Sequence, residues 1–127
     1  MVISRGEVYL VGLDPTLGSE IQKTRPCVVV SPNELNAYLR TVIVAPMTTS
    51  GRAYPWRVRC RFQRRSGYVV LDQLRTVDRE RLVRKLGSLS GSTLVDVLGA
   101  LQELFADGEA GEQPAAADER RGRVSLI

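Results

Sequence analysis

Polar side chains that could act on a phosphate occur at three points of this 127-residue sequence, each beside an apolar run. They supply a fixed cation, hydroxyl donors, an amide and one carboxylate. That set suits stabilisation of the extra negative charge on a pentacoordinate phosphorus transition state. If strand ends converge on one rim of a barrel, the three clusters could meet. The members are Glu20, Lys23 and Arg25, then Thr48, Thr49 and Ser50, then Gln73 and Arg75.

Arg25 has the most clearly defined position of these residues. Pro26 follows it and lacks an N–H, so it fits the first residue of a strand. Three valines at 28–30 then form the pattern of a strand buried on both faces. The sequence therefore places a permanently charged guanidinium at the mouth of a rigid strand, where it could bind a phosphate. The alternative is a surface arginine that happens to precede a strand.

The sequence contains no histidine. This excludes a Ser-His-Asp triad, a Cys-His pair and the histidine acid/base pair common in ribonucleases. Cys27 and Cys60 both fall in apolar strand patterns, so we expect buried, reduced thiols rather than a disulfide. Two distant cysteines without histidine argue against a structural zinc site. We therefore expect neither a metal nor another cofactor.

The positive charge is concentrated in the first 106 residues. Residues 1–106 carry 15 Lys and Arg against 9 Asp and Glu, a net charge of +6, whereas residues 107–127 carry 3 against 5, a net charge of −2. Most of the cations are arginines. This balance favours a phosphate-bearing partner, and the alternative is a protein from an arginine-rich proteome.

Apolar and basic residues alternate strictly from Trp56 to Phe62. Period 2 predicts a half-buried strand with one wet, cationic face. Residues 52–65 hold six arginines and no acid, which favours a phosphate track or a surface for an acidic partner over a plain solvated face. Tyr54 could stack on a base, whereas the alternation predicts that Trp56 lies in the core.

Short strands dominate the predicted secondary structure. We predict strands at residues 6–13, 26–31, 41–47, 56–62, 68–71 and 85–89, an extended segment at 72–78 and a helical turn at 79–83. The pattern indicates a mainly β (α+β) fold, a small closed or half-closed barrel of five to seven strands.

Two helices complete the prediction. Residues 32–39 form a short helical turn with Leu35, Tyr38 and Leu39 on its inner face. A C-terminal helix starts at Ser90–Ser92 with a hydroxyl N-cap. Its apolar face, for the core or a dimer contact, holds Leu94, Val97, Leu98, Leu101, Leu104 and Phe105.

One domain covers residues 1–106, and the composition then changes to Gly, Glu, Pro and Ala. Residues 107–127 cannot bury enough apolar surface to fold, so we expect a flexible tail. No apolar run approaches the roughly 20 residues of a membrane span, and the N-terminus lacks a signal peptide. A cytoplasmic protein without membrane contact is therefore expected.

Six motifs in register resemble the MazF/PemK family of toxin endoribonucleases from toxin–antitoxin modules. They span about residues 5–105, and the segment after Ala106 lies outside the resemblance. The motifs are RGEVY at 5–9, GSE at 18–20, TRPCVVVS at 24–31, PN at 32–33, VAPMTTS at 44–50 and LDQLRTVD at 71–78.

This resemblance implies an SH3-like barrel of the CcdB/MazF type that forms a homodimer. It also implies metal-independent, sequence-specific cleavage of single-stranded RNA, including mRNA, which inhibits translation and growth. The RNA 2′-hydroxyl attacks the adjacent phosphate and leaves 2′,3′-cyclic phosphate and 5′-hydroxyl ends. The inhibitor would be an acidic, partly disordered antitoxin that covers the arginine-rich face of residues 52–65.

The family's catalytic positions match Arg25, Thr48 and Glu20. Gln73 and Arg75 match a pair near the substrate. We expect sequence preference to reside in the loops at residues 16–23 and 49–55. The residues expected to bind RNA are Ser19, Lys23, Thr49, Ser50, Arg52, Gln73 and Arg75.

Family proposals treat the arginine as an acid/base, but its pKa above about 12 makes deprotonation costly. We therefore expect Arg25 to clamp the phosphate, Thr48 to donate a hydrogen bond to it, and Glu20 to be the available base. Two alternatives remain at this point. One is a gyrase-poisoning toxin on the same fold, a group without the Arg25/Thr48 pair, and the other is a basic barrel that only binds RNA.

Overall fold

The computed structural model describes residues 1–108. The strands are β1 Glu7–Gly12, β2 Thr24–Val29, β3 Thr41–Thr48, β4 Arg57–Phe62, β5 Arg65–Val70, β6 Arg75–Asp78 and β7 Leu82–Ser88. The α-helices are α1 Asn33–Tyr38 and α2 Gly91–Leu104, and short 3₁₀ turns span Leu71–Gln73 and Arg79–Arg81. Apart from Asp107 and Gly108, the predicted tail lies outside the described residues.

All strands pair antiparallel in one curled sheet with the order β4-β5-β3-β2-β1-β7, and β6 also pairs with β3. This half-barrel with a C-terminal helix confirms the predicted mainly β fold. No helix within residues 1–108 has the length and apolar character needed to cross a membrane.

Strand β2 is buried on both faces, as its three valines predict. Cys27 and Val29 pack in one core cluster. Val28 and Val30 pack in the other, which also holds residues of β4, β5 and α2. Because alternate residues of β2 enter different clusters, the direction of this strand is fixed from both sides up to its polar start at Thr24.

The segment between β5 and β7 differs in detail from its prediction. Residues 71–73 form a 3₁₀ turn rather than an extended segment, and the predicted turn at 79–83 ends at Arg81. The carboxylate of Asp78 accepts a hydrogen bond from Glu80 N at 2.9 Å and so caps this short turn. The last strand starts at Leu82, earlier than predicted, because Leu82 already pairs with Val11 of β1.

The predicted inner face of helix α1 is wrong. Tyr38 is 85% exposed and Leu39 is 50% exposed, whereas Asn36 is buried. The Asn36 amide donates to Ser31 O at 3.0 Å and its oxygen accepts from the Ser31 hydroxyl at 2.5 Å. A six-residue helix has too little length to bury an apolar face, so polar contacts hold it instead.

Trp56 is also not a core residue. It precedes the first residue of β4 and is 37% exposed. Its ring stacks on Tyr54 with a centroid separation of 5.3 Å, and the two planes differ by 5°. The Arg57 guanidinium lies 5.2 Å from the Tyr54 ring centroid and pairs with Asp72. The apolar alternation therefore begins inside the strand, at Val58.

The predicted apolar face of helix α2 divides into a buried and an exposed part. The Ser90 hydroxyl accepts from Thr93 N, as the predicted N-cap requires. Val97 is fully buried in the core, whereas Leu104 is 38% exposed and Phe105 is 73% exposed. Whether the exposed part forms the alternative dimer contact stays a prediction.

Candidate active site

The backbone of Arg25 is fixed by the β1–β2 ladder, in which Arg25 pairs with Val11. Its side-chain Nε donates to Gln22 O at 3.1 Å. The residue is exposed, so the two terminal nitrogens of the guanidinium remain available to a ligand. The structure thus holds a cation at the start of a buried strand with its charged end toward solvent.

Thr48 is the last residue of β3 and pairs with Tyr68 of β5. The β2–β3 ladder pairs Cys27 with Pro46. Continuing this register by two residues sets Arg25 opposite Thr48. The Thr48 Oγ1 accepts from Ser50 N at 3.2 Å, which leaves its own O–H able to donate to another acceptor.

Arg25 and Thr48 line one cavity of about 190 Å³, here called the Arg25 cavity. Thr49, Arg65 and Ser66 also line it, so two guanidiniums and three hydroxyls meet there. Among the described residues, neither a carboxylate nor an imidazole lines this cavity. Two cations without a counter-charge favour an anionic ligand, since like charges at close range are destabilising.

Three residues that line this cavity are not among the predicted site residues. They are Gln63, Arg65 and Ser66. The β4–β5 hairpin places them there, because Phe62 pairs directly with Arg65 across a two-residue turn. The sequence does contain a signal for this contact. If the alternating strand ends in a two-residue hairpin turn at 63–64, position 62 pairs with position 65.

Gly67 allows β5 to approach the end of β3 beside Thr48. A Cβ atom added at Gly67 would lie 2.2 Å from Thr48 O and 3.2 Å from Thr49 Cα. Backbone atoms cannot yield to such a contact without moving the strand end. Glycine at this position therefore maintains the positions of both threonines in the Arg25 cavity.

The third polar cluster lies in a different cavity. Glu20, Gln73 and Arg75 line a space of about 400 Å³, here called the Glu20 cavity. The Gln73 Oε1 accepts from Ile21 N at 2.7 Å, and Arg75 donates to Leu13 O at 2.9 Å. The three clusters therefore do not form one site. Gln73 and Arg75 contact the backbone of the β1–β2 loop.

Glu20 also bonds within its own loop. Its Oε1 accepts from Leu17 N at 2.6 Å. The next two residues connect the cavities, because Ile21 is held by Gln73 and the carbonyl of Gln22 accepts from Arg25. A movement of this loop would therefore affect the Glu20 carboxylate and the Arg25 guanidinium together.

The remaining predicted RNA-binding residues surround these cavities without lining either one. Ser19 and Arg52 are exposed in the β1–β2 and β3–β4 loops. Lys23 has a φ of 69° and its N–H donates to Asp14 Oδ1 at 2.9 Å. Ser50 bonds to Thr48. Their contacts with RNA stay predictions.

Both cysteines are free and buried, as predicted. Burial raises the pKa of the Cys27 thiol to about 12, and the charge of Arg75 opposes this rise. Burial also raises the pKa of Cys60, which lies in the wall of the Arg25 cavity. Both thiols are therefore neutral at pH 7 and unsuited to nucleophilic attack. Within residues 1–108, no group of three or more His, Cys, Asp and Glu residues is arranged to hold a metal ion.

Similar proteins identify the family of this chain. The family model described as the PemK-like, MazF-like toxin of type II toxin–antitoxin systems matches residues 4–105. An endoribonuclease MazF from Staphylococcus epidermidis is 37% identical over 106 residues, which cover 79% of this chain and 88% of that protein.

Two solved structures are also similar. MazF from Deinococcus radiodurans is 28% identical with a TM-score of 0.72, covering 82% of this chain and 96% of that one. A mycobacterial endoribonuclease in complex with its cognate antitoxin is 26% identical with a TM-score of 0.71, covering 84% and 99%. This chain therefore belongs to the PemK-like, MazF-like toxins of type II toxin–antitoxin systems.

Proposed function

We propose that this toxin is an endoribonuclease that cuts single-stranded RNA, including mRNA, without a metal ion and thereby inhibits translation and growth. The observation that carries the proposal is the cavity shared by Arg25 and Thr48. Its cations and hydroxyls suit a phosphodiester whose charge increases during the reaction. The similarity to endoribonucleases MazF supports the same activity.

Arg25 binds the scissile phosphate through its two terminal nitrogens, because its Nε is already bonded to Gln22. The Thr48 hydroxyl donates a hydrogen bond to a second phosphate oxygen. The RNA 2′-oxygen forms the new bond to phosphorus, and the bond to the 5′-oxygen breaks. The products are a 2′,3′-cyclic phosphate and a 5′-hydroxyl, so neither water nor a protein nucleophile enters this step.

The proton of the 2′-hydroxyl requires an acceptor, and the leaving 5′-oxygen requires a donor. Glu20 is the carboxylate closest to Arg25 in the sequence. It lies on the loop whose Gln22 carbonyl accepts a hydrogen bond from Arg25. We assign it the role of base, for which its exposed side chain would release Leu17 N and accept the proton of the 2′-hydroxyl. Protonated Glu20 can then donate this proton to the leaving 5′-oxygen, so the reaction neither gains nor loses a proton.

The partner that controls the toxin is an antitoxin with acidic segments, and the active species is a homodimer. The mycobacterial relative was solved with its cognate antitoxin. On this chain, Arg59 and Arg61 are exposed on the outer face of β4 and form no ion pair among residues 1–108. Acidic side chains could pair with them, so association would weaken as salt rises.

The decisive experiment incubates the purified protein with a long RNA in EDTA and maps the ends. We expect cuts with 5′-hydroxyl and cyclic phosphate ends, and a loss of at least about 10²-fold in rate for Arg25→Ala, comparable to removal of an oxyanion donor. Intact RNA after long incubation would favour the gyrase-poisoning alternative. Binding without cut ends would favour a non-enzymatic RNA-binding barrel.

A further inference from the structure

The Arg25 cavity has two chemically different parts, and the proposed chemistry uses only one. Arg25, Thr48 and Thr49 form a polar rim. The other part is apolar and is lined by Pro26, Met47, Cys60 and Phe62. A phosphate would contact only the polar rim. The apolar part can therefore bind a second, less polar group of the same ligand.

Strand register explains how this apolar floor arises. Met47 pairs with Val69, Cys60 pairs with Gly67 and Phe62 pairs with Arg65, and paired residues share one face of a sheet. Met47, Cys60 and Phe62 belong to the same core cluster or pack against it. The floor is therefore the open end of the core, and Gly67 adds no side chain that would fill it.

The β4–β5 turn adds polar groups above this floor. Gln63 donates through Nε2 to Leu86 O at 3.1 Å, which fixes its amide and leaves Oε1 as an acceptor. Gln63 and Arg64 have φ angles of 50° and 65°, as the two central residues of a type I′ hairpin turn require.

We propose that the floor of the Arg25 cavity binds the base of one nucleotide next to the scissile phosphate and contributes to sequence preference. The inference rests on the proposed function. The base lies on Phe62 and Met47, and its edge faces Gln63. Splayed single-stranded bases are read in this way, by stacking and by hydrogen bonds to their edges. At about 190 Å³ the cavity suits one ring system, since pockets for drug-sized ligands are about 300–1,000 Å³.

The exposed Tyr54–Trp56 stack is a weaker candidate for this base. Neither ring lines the Arg25 cavity. Trp56 instead lines a cavity with Ala100 and Leu104 of helix α2.

The test uses an RNA oligonucleotide with a 2′-deoxy nucleotide at the cleavage site, which binds without being cut. Replacing each flanking base in turn with an abasic residue should weaken binding to the wild type about tenfold at one position. Phe62→Leu should weaken binding to the intact oligonucleotide and should largely abolish the extra loss at that position. Equal abasic losses in the wild type and Phe62→Leu would overturn the base subsite.

Cleavage of a random-sequence RNA pool provides the second measurement. Gln63→Asn tolerates a positive φ but shortens the amide, and it should change base preference at that one position. Arg84→Ala is the control, because it removes an exposed charge of β7 that does not line the Arg25 cavity. An unchanged motif in Gln63→Asn would contradict the inference. Absence of Arg25-dependent cuts in the wild type would instead refute the proposed function, whereas Arg25-dependent cuts with an unchanged motif in Gln63→Asn would refute only the base subsite.

Discussion

At the scale of single residues, Arg25 and Thr48 offer different interactions to one anion. The guanidinium supplies charge in a fork geometry, and the hydroxyl supplies a directed hydrogen bond. The residue types could be identified from the sequence. Their shared cavity depends on the β2–β3 register, which no local pattern encodes.

Arg25→Lys tests whether the fork geometry matters. Lysine keeps the positive charge but offers a single ammonium in place of two terminal N–H groups. We expect kcat to fall at least about tenfold while binding of RNA falls less, because charge attraction remains. Cleavage assays under single-turnover conditions measure the first, and binding of the 2′-deoxy oligonucleotide measures the second. A near-normal rate would show that charge alone suffices at this position.

Glu20→Gln distinguishes the proposed role of Glu20 as a base from its hydrogen bond within the loop. The glutamine oxygen can still accept from Leu17 N, so the loop should keep its conformation. We expect cleavage to slow by about 10²-fold or more, the usual contribution of general acid–base catalysis. A variant that retains the full rate would limit Glu20 to a role in loop structure.

At the scale of elements, the segment around β6 holds the β1–β2 loop in place. Arg81 donates to Gly12 O at 3.1 Å and to Asp14 O at 2.7 Å. Arg75 and Gln73 bond to the same loop at Leu13 and Ile21. Since this loop leads into β2, whose second residue is Arg25, we expect these three side chains to position the proposed catalytic cation.

Arg81→Ala should loosen the start of this loop without exposing the core. We expect faster tryptic cleavage after Lys23, and a lower kcat with a small change in melting temperature. Arg84→Ala is the control, because Arg84 is an exposed cation on β7 that forms no side-chain hydrogen bond among residues 1–108. Equal protease sensitivity of the two variants would argue against a positioning role for Arg81.

At the scale of the whole molecule, the core is built around ionisable groups that must stay neutral. Cys27 lies in the cluster that joins β1, β2, β3 and β6, and burial raises its pKa to about 12. In the unfolded chain a cysteine has a pKa of about 8.5. The neutral thiol is therefore favoured by folding. The resulting stability is complete below about pH 8.5 and is lost as pH rises toward 12.

Urea unfolding of the wild type and Cys27→Ala at pH 7 and pH 10 tests this dependence. At pH 10 ionisation of the unfolded thiol should cost the wild type about 2 kcal/mol of unfolding free energy. The alanine variant lacks this loss, so the stability difference between the two proteins should shrink by that amount. A constant difference at both pH values would mean that the Cys27 thiol is not buried as described.

The sequence pattern predicted most of the fold because the signals are local. Alternating residues predicted the strand at 57–62, consecutive valines predicted β2, and Ser90 marked the start of α2. The errors at Tyr38 and Trp56 have a common cause, since both residues lie at the edge of an element. There the periodic pattern continues but the neighbouring element that would bury the side chain is absent.

The sequence by itself determined the residue types available for catalysis: many arginines, a hydroxyl run and no imidazole. It also determined that Arg25 precedes a rigid strand, because Pro26 and the following valines act over a few residues. Only the tertiary structure decided which groups share a cavity. Arg65 lines the same cavity as Arg25 because of the hairpin register. Gln73 bonds to a loop residue that is 52 positions away in the sequence, and Arg81 bonds to loop residues that are 67 and 69 positions away. Contacts at such separations depend on how the sheet curls, which no local pattern specifies.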